Sequence, residues 1–133
     1  MQKKSLRYWQ TYLGVILLLS SCAGLQPEVT VVSPDGGEKV LAVKASSFKF
    51  EPNNIKAYTG DVILLKIENV SGSGHNFTIK NPQGQVIQSS DLPAGKMTDV
   101  SVTLSEKGVY DFYCDKPFHS AFGMKGRIEV VDR

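Results

Sequence analysis

Eleven residues near the C-terminus, Cys114 to Met124, constrain this chain more than any other segment. They read Cys-Asp-Lys-Pro-Phe-His-Ser-Ala-Phe-Gly-Met, so a thiolate, an imidazole and a thioether follow one another with four residues in each interval. The chain has only two histidines, and the second, His75, lies far upstream. A thiolate, two imidazoles and a weak axial thioether are the ligand set of mononuclear copper electron-transfer sites. The sequence therefore predicts a copper site with the ligands His75, Cys114, His119 and Met124.

The rest of the chain from Lys39 onward has the pattern of an all-β protein. Short runs of β-branched and aromatic residues alternate with breaks that contain Gly or Pro, and no 3.6-residue period is sustained. This pattern predicts a Greek-key two-sheet β-sandwich. The predicted strands are Lys39–Ala45, Ser47–Glu51, Asn54–Tyr58, Val62–Asn69, His75–Lys80, Val86–Ser89, Thr98–Leu104, Val109–Cys114 and Arg127–Val131.

The two-residue period of these strands indicates where two of the candidate ligands point. Within His75–Lys80, the period places His75 on the same face as Phe77, which is the apolar face, and places the polar residues on the opposite face. Within Val109–Cys114, Cys114 shares a face with Phe112. Both candidate ligands therefore lie at strand ends and point inward, as a site buried at one end of a sandwich requires.

Taken one at a time, these residues have simpler explanations. A cysteine at a strand end is most often a small buried hydrophobe, an inward histidine is often a hydrogen-bonded core residue, and a loop methionine usually packs. A Cys/His₂ set also suits zinc, although zinc sites prefer compact tetrahedral sets without a thioether. A catalytic cysteine–histidine pair remains a further alternative, although no third residue stands out as its orienting partner.

The N-terminal residues are predicted to direct export. Residues 1–21 are interpreted as a lipoprotein signal peptide, with a basic start and a Leu13–Leu19 apolar run too short to span a bilayer. Cys22 follows a lipobox-like Leu-Ser-Ser sequence and is the predicted lipidation site. The alternatives are an ordinary signal peptide with a coincidental cysteine, or a short membrane anchor. Residues 22–37 are interpreted as a lipid-anchored tether with a short strand at Val29–Val32, and residues 38–133 as the folded domain. Ala23, rather than Asp, after the cysteine favours the outer membrane if the cell has one.

Charge and cysteine content exclude other classes of protein. Without residues 1–21, which contain three of the fifteen basic residues, twelve bases face thirteen acids. A domain of net charge near −1 gives no electrostatic reason to expect nucleic acid as a partner. The chain has two cysteines, and lipidation of Cys22 leaves Cys114 without a partner for a structural disulfide.

The chain from about Lys39 to Val131 resembles the cupredoxins, the type 1 blue copper proteins. The resemblance rests on three groups of residues, which are Phe48-Lys-Phe50-Glu-Pro52 with Gly60-Asp61, then Gly74-His75-Asn76, and then Tyr113-Cys114 through His119 to Met124-Lys125-Gly126. The two four-residue intervals match no single subfamily, because azurins, plastocyanins and phytocyanins each differ in one interval or in a disulfide. One cysteine in the loop excludes the two-copper site of oxidase subunit II.

The resemblance implies roles for individual residues. It implies that one copper ion is held by His75, Cys114, His119 and Met124, that Asn76 pins the ligand loops together, and that the carbonyl of Gly74 is a weak additional contact. It also implies that the protein carries single electrons and is not an enzyme. The expected partners are extracytoplasmic redox proteins, such as cytochromes or oxidoreductases, that dock near His119 on Phe118, Ala121 and Phe122. The alternative is that Phe118 and Phe122 pack inward.

Two other functions compete with electron transfer. A copper protein can store or deliver its metal, but such proteins tend to carry additional Met or His, and here only Met97 and Met124 follow the signal peptide. A cupredoxin-like domain without copper can serve in adhesion or assembly, but the complete ligand set argues against this. We expect a monomer on the periplasmic side of a membrane, held there only through its lipid anchor.

Overall fold

The computed structural model describes residues 28–35 and 38–133, which form ten β-strands and no α-helix. The predicted signal peptide and Cys22 lie outside the described residues, and so does half of the predicted tether, residues 22–27 and 36–37. No helix long and apolar enough to cross a membrane is present in the part of the chain that the structure describes. The strands are β1 (Thr30–Val31), β2 (Glu38–Ser46), β3 (Lys49–Glu51), β4 (Asn54–Tyr58), β5 (Val62–Asn69), β6 (His75–Lys80), β7 (Val86–Leu92), β8 (Met97–Thr103), β9 (Gly108–Tyr113) and β10 (Lys125–Val131).

The strands form two mixed sheets that pack face to face. The six-stranded sheet has the order β1-β4-β10-β9-β6-β7, and the four-stranded sheet has the order β3-β2-β5-β8. The β1–β4, β4–β10 and β2–β5 pairs are parallel, and the other pairs are antiparallel. The predicted all-β Greek-key sandwich is therefore confirmed.

The two-residue period places the apolar side chains between the sheets. In β5, Ile63, Leu65 and Ile67 are fully buried while the residues between them are partly exposed or exposed. The bounds of β4, β5 and β6 are those predicted, and the other strands differ by one to three residues. The short strand predicted before the domain is present as β1, which pairs with β4.

Three aromatic rings form the part of the core that lies next to the candidate ligands. Phe50 from β3 meets Phe77 and Phe112 edge to face at 5.7 and 5.6 Å, and Phe77 stacks on Phe112 at 5.0 Å. Phe77 lies two residues after His75 in β6, and Phe112 lies two residues before Cys114. Because side chains two residues apart share a face, the aromatic cluster holds both ligand candidates at one end of the sandwich.

The face of β6 that carries the polar residues is buried as well as the face that carries His75. Asn76 and Thr78 are buried along with His75, Phe77 and Ile79. The strand lies between β7 and β9, and the hydroxyl of Ser89 on β7 and the loop after β9 cover its second face. These two buried polar side chains are satisfied by hydrogen bonds, which offset the cost of their burial.

Candidate metal centre

His75 is the first residue of β6 and is buried. Its Nδ1 atom points to the centre of the site, 3.1 Å from Nδ1 of His119, and its Nε2 atom lies 2.8 Å from Oγ of Ser71. Burial lowers the pKa of His75, and the neighbouring His119 and Lys116 lower it further. A lowered pKa keeps the imidazole neutral, and only the neutral form has a lone pair to give to a metal ion.

Cys114 follows β9 directly and is fully buried, and it forms no disulfide within residues 28–35 and 38–133. Its Sγ atom accepts a hydrogen bond from the backbone N–H of Asn76 at 3.4 Å and lies 3.4 Å from Nδ1 of His119. The backbone N–H of Cys114 donates to the carbonyl oxygen of Met124 at 3.0 Å. The sulfur is therefore held by β6, and the backbone of Cys114 is held by the far end of its own loop.

The loop from Cys114 to Met124 is built from consecutive turns, and this explains the four-residue intervals. His119 N–H donates to the Lys116 carbonyl at 3.1 Å, and Met124 N–H donates to the His119 carbonyl at 2.9 Å. Gly123 closes the second turn with a φ of 107°, a conformation that glycine adopts without strain. The loop thus returns both His119 and Met124 to the neighbourhood of Cys114.

The three nearest candidate ligand atoms have the spacing of a metal site. One ligand atom each from His75, Cys114 and His119 lies within 4.8 Å of the other two, and two of these residues are buried. A metal ion of this kind binds nitrogen at about 2.0–2.1 Å and sulfur at about 2.3 Å, with angles of roughly 100–120° between ligands. Two nitrogen ligands of one ion are then about 3.1–3.6 Å apart, and a nitrogen and a sulfur ligand are about 3.3–3.8 Å apart. The observed 3.1 and 3.4 Å fall within those ranges.

Met124 adds a thioether to this group. Its side chain is fully buried, and it lies close to His75, Cys114 and His119. A buried soft thioether beside a thiolate and two imidazoles fits copper better than zinc, because structural zinc sites use four thiolate, imidazole or carboxylate ligands. The donor set therefore fits a type 1 copper ion.

Asn76 connects β6 to the ligand loop. Its Oδ1 atom accepts a hydrogen bond from the backbone N–H of Asp115 at 2.7 Å, and its Nδ2 atom donates to Oγ1 of Thr78 at 3.1 Å and to Oγ of Ser89 at 3.4 Å. The residue after His75 thus holds the residue after Cys114. This geometry is what a residue that pins the ligand loops would need.

Phe48, which the sequence analysis did not assign to the site, lies against His119. Their rings meet edge to face with centroids 5.1 Å apart, and Phe48 also meets Phe122 at 5.3 Å. Phe48 belongs to the turn between β2 and β3 in the other sheet. The resemblance included this residue as part of a motif, but no periodicity indicated that it reaches the second sheet.

Ser71 is a second residue beside the site that the sequence does not indicate, because it lies in the Ser-Gly-Ser-Gly segment between β5 and β6. Its hydroxyl lies 2.8 Å from Nε2 of His75 and 2.7 Å from Oδ1 of Asn69. A polar residue four positions before a candidate ligand was the only available signal.

Comparison with known families decides the identity. Residues 38–131 match the family described as copper binding proteins, plastocyanin/azurin family. This chain is a member of that family. The cupredoxin assignment and the prediction of copper as cofactor are therefore confirmed.

Relatives of this cupredoxin include plant plastocyanins. Plastocyanin B'/B'' of Nicotiana tabacum is 34% identical over 111 residues, which cover 77% of this chain and 98% of that protein. Reduced auracyanin of the photosynthetic bacterium Roseiflexus castenholzii has the same fold, with a TM-score of 0.62 and 21% identity over 72% of this chain and 99% of that one. The metal-binding domain of the Cu(I) exporting P-type ATPase CopA of Streptococcus pneumoniae also has this fold, with a TM-score of 0.62 and 17% identity over 80% and 99% of the two chains.

Membership in the cupredoxin family leaves the individual ligands as predictions that the geometry supports. The atoms of His75, Cys114 and His119 converge, and Met124 lies close to them. The weak contact predicted for the Gly74 carbonyl stays a prediction.

Proposed function

We propose that this protein is a mononuclear type 1 copper protein that carries single electrons between extracytoplasmic redox partners. The observation that carries the proposal is the convergence of His75 Nδ1, Cys114 Sγ and His119 Nδ1 at metal-ligand spacing. The copper ligands in this proposal are His75, Cys114, His119 and Met124.

Copper supplies a one-electron couple between Cu(I) and Cu(II) when bound. The protein's own contribution is to hold its ligands in place. The backbone N–H of Asn76 donates a hydrogen bond to the Cys114 sulfur, which ties the ligand loop to β6. The backbone N–H of Cys114 donates to the Met124 carbonyl, which ties the two ends of the loop together. Ligands held in this way need little rearrangement when the charge at the site changes by one. The hydrogen bond from Asn76 N–H to the sulfur tunes the reduction potential.

The proposed docking surface for redox partners surrounds His119 and comprises Phe48, Phe118, Ala121 and Phe122. Phe118 and Phe122 are 74% and 67% exposed, and Phe48 is 42% exposed. Phe48 and Phe118 are also the two non-glycine residues with positive φ in the described part of the chain. Strained backbone at exposed aromatic residues is uncommon and tends to be retained at functional sites.

The partially exposed His119 makes this surface suitable for electron transfer. His75 is buried, whereas His119 is half-buried and lies under the aromatic residues of the docking surface. The shortest route for an electron therefore runs through His119. A small apolar surface suits a short-lived encounter with a cytochrome or oxidoreductase. In this proposal the protein acts as a monomeric electron carrier and not as an enzyme.

The proposal also places the protein at a membrane. Lipidation at Cys22 would anchor it on the periplasmic side, in the outer membrane if the cell has one, and residues 1–21 would be removed. The composition of these residues supports this localisation.

Copper storage or delivery is the competing function. A protein that releases copper readily needs an accessible site, and in the described residues the single cluster of candidate ligands has two buried members. This arrangement favours retention of the metal and transfer of the electron.

The test is a copper titration of the purified, metal-free protein. We expect one copper per chain, an intense visible charge-transfer band in the oxidised form, and electron exchange with a small redox reagent that is faster than loss of copper to a chelator. A colourless protein that prefers zinc would refute the type 1 site, and rapid copper release with slow electron exchange would favour delivery.

A further inference from the structure

A chain of hydrogen bonds leads from the backbone to the distal nitrogen of His75. It begins at Asn69, whose side chain is fully buried at the end of β5. The Nδ2 group of Asn69 donates to the carbonyl oxygens of Ser73 and Leu92, both at 2.8 Å. Because carbonyl oxygens only accept, these two bonds determine which end of the amide is nitrogen. The Oδ1 atom of Asn69 must therefore face Ser71.

The hydroxyl of Ser71 is constrained by the same reasoning. The oxygen lies 2.7 Å from Asn69 Oδ1 and 2.9 Å from the Ser73 carbonyl oxygen, and both of these atoms can only accept. The single hydroxyl hydrogen must therefore point to one of them. In either case it does not point to His75, and Ser71 presents a lone pair to the Nε2 atom 2.8 Å away.

A lone pair on Ser71 requires a hydrogen on His75 Nε2. The neutral imidazole carries one hydrogen, so Nδ1 is left with its lone pair. That Nδ1 atom is the one that faces Nδ1 of His119 at the centre of the site. His75 thus donates a hydrogen bond to Ser71, and Ser71 donates to a carbonyl or amide oxygen. This leaves the lone pair on His75 Nδ1 directed to the metal site before copper binds.

We propose that Ser71 is a positioning residue, which acts with Asn69 to hold His75 in the tautomer and ring orientation that present Nδ1 to copper. The inference rests on the proposed function, because it assumes that His75 is a copper ligand. Partners of the second ring nitrogen of ligand histidines commonly contribute tenfold to a hundredfold to metal affinity.

The test compares three substitutions in the full protein. Ser71→Ala removes the acceptor, and Ser71→Thr keeps the hydroxyl. Ser73→Ala is the matched control, because it makes the same chemical change two residues away at an exposed side chain with no hydrogen bond among the described residues. Two quantities are measured, which are the His75 tautomer in the metal-free protein, from long-range ¹H–¹⁵N correlations, and the copper affinity, from competition with a chelator.

We expect the wild-type protein to carry its hydrogen on Nε2 before copper is added. Ser71→Ala should bind copper about tenfold to a hundredfold more weakly and show a mixed His75 tautomer, and Ser71→Thr and Ser73→Ala should match the wild type. Equal affinity and the same tautomer in Ser71→Ala and Ser73→Ala would overturn the proposal. A hydrogen on Nδ1 in the wild type would also overturn it, even if Ser71→Ala does not fold.

These results separate this inference from the proposed function. The tautomer is measured without copper, so it tests the Ser71 assignment alone. A wild-type protein that gives no visible band on copper addition would instead reject the type 1 site.

Discussion

Phe48 and His119 meet edge to face with 5.1 Å between their ring centroids, although the loops that carry them connect strands of different sheets. Phe48 lies in the turn between β2 and β3, and His119 lies in the loop between β9 and β10. The contact ties the ligand loop to the four-stranded sheet and covers part of the His119 ring. It also makes Phe48 part of the apolar surface that surrounds the half-buried ligand.

The first prediction concerns the thiolate. Cys114→Ser should remove the intense visible band of the oxidised, copper-loaded protein, because the band requires charge transfer from a thiolate to Cu(II). Some copper should remain bound, since His75 and His119 are unchanged. The measurement is a visible spectrum with metal analysis of the same sample, and circular dichroism checks that the variant is folded. A band of undiminished intensity in Cys114→Ser would mean that another residue gives the colour.

The second prediction concerns the axial position. Met124→Leu conserves volume at a buried site, so it should cost less than about 1.5 kcal/mol of stability. The thioether is the weak ligand, so His75, Cys114 and His119 should still hold copper. The reduction potential should rise, by about 59 mV for each tenfold loss of Cu(II) affinity relative to Cu(I). Voltammetry gives the potential, and an unchanged value would show that Met124 is not a ligand.

The third prediction concerns pH and the metal-free protein. The pKa of His75 is lowered in the fold, first by burial and then by His119 and Lys116. Between the lowered pKa and the ordinary value of 6.5, the unfolded chain therefore binds a proton that the folded protein does not. The unfolding free energy should then fall as the pH decreases from 6.5, by up to about 1.4 kcal/mol per pH unit until the lowered pKa is reached.

Urea unfolding of the metal-free protein between pH 6.5 and 5.5 tests this sign. His75→Asn should remove the slope that His75 contributes. A metal-free wild type that becomes more stable as the pH falls would contradict the prediction.

Much of the fold and the composition of the candidate site could be predicted from the sequence for simple physical reasons. In Val109–Cys114 the two-residue period predicted that Cys114 shares the inward face of Phe112, and both side chains are buried. The candidate ligands are recognisable because the chain has two histidines, one of which lies between a cysteine and a methionine in one loop.

The parts that were missed depend on contacts between distant segments. β6 is buried on both faces because the loop after β9 and Ser89 cover it, and the alternation of β6 alone gives no sign of this cover. The contact of Phe48 with His119 depends on how the two sheets pack. The role proposed for Ser71 depends on which way Asn69 is turned, and two carbonyl oxygens decide that.

The fourth prediction concerns the membrane anchor. Cys22→Ser should release the protein from the membrane fraction, because it removes the sulfur that would carry the lipid. The spectrum of the copper-loaded protein should not change, since Cys22 precedes the matched domain of residues 38–131. Fractionation of cells with an immunoblot gives the distribution. A variant that stays in the membrane would indicate that the Leu13–Leu19 segment itself acts as the anchor.

The last prediction concerns where electrons leave the protein. Phe122→Asp places a charge on the docking surface, where contact with a partner would leave the ion poorly solvated. The variant should keep its colour and nearly its potential, because the side chain is 67% exposed in the absence of a partner. Electron exchange with a physiological partner should slow by roughly tenfold, equivalent to about 1.4 kcal/mol.

Stopped-flow kinetics with the oxidised partner measures this rate, and two variants serve as controls. Phe122→Leu keeps the surface apolar and should react at a rate near that of the wild type. Val86→Asp makes the same kind of change at another exposed apolar residue, opposite Lys80 at the end of β6 away from His75, and it should have little effect. Equal rates for the wild type and Phe122→Asp would exclude this surface as the docking site. Loss of colour in Phe122→Asp would instead show that the ring supports the ligand loop, through its contact with Phe48.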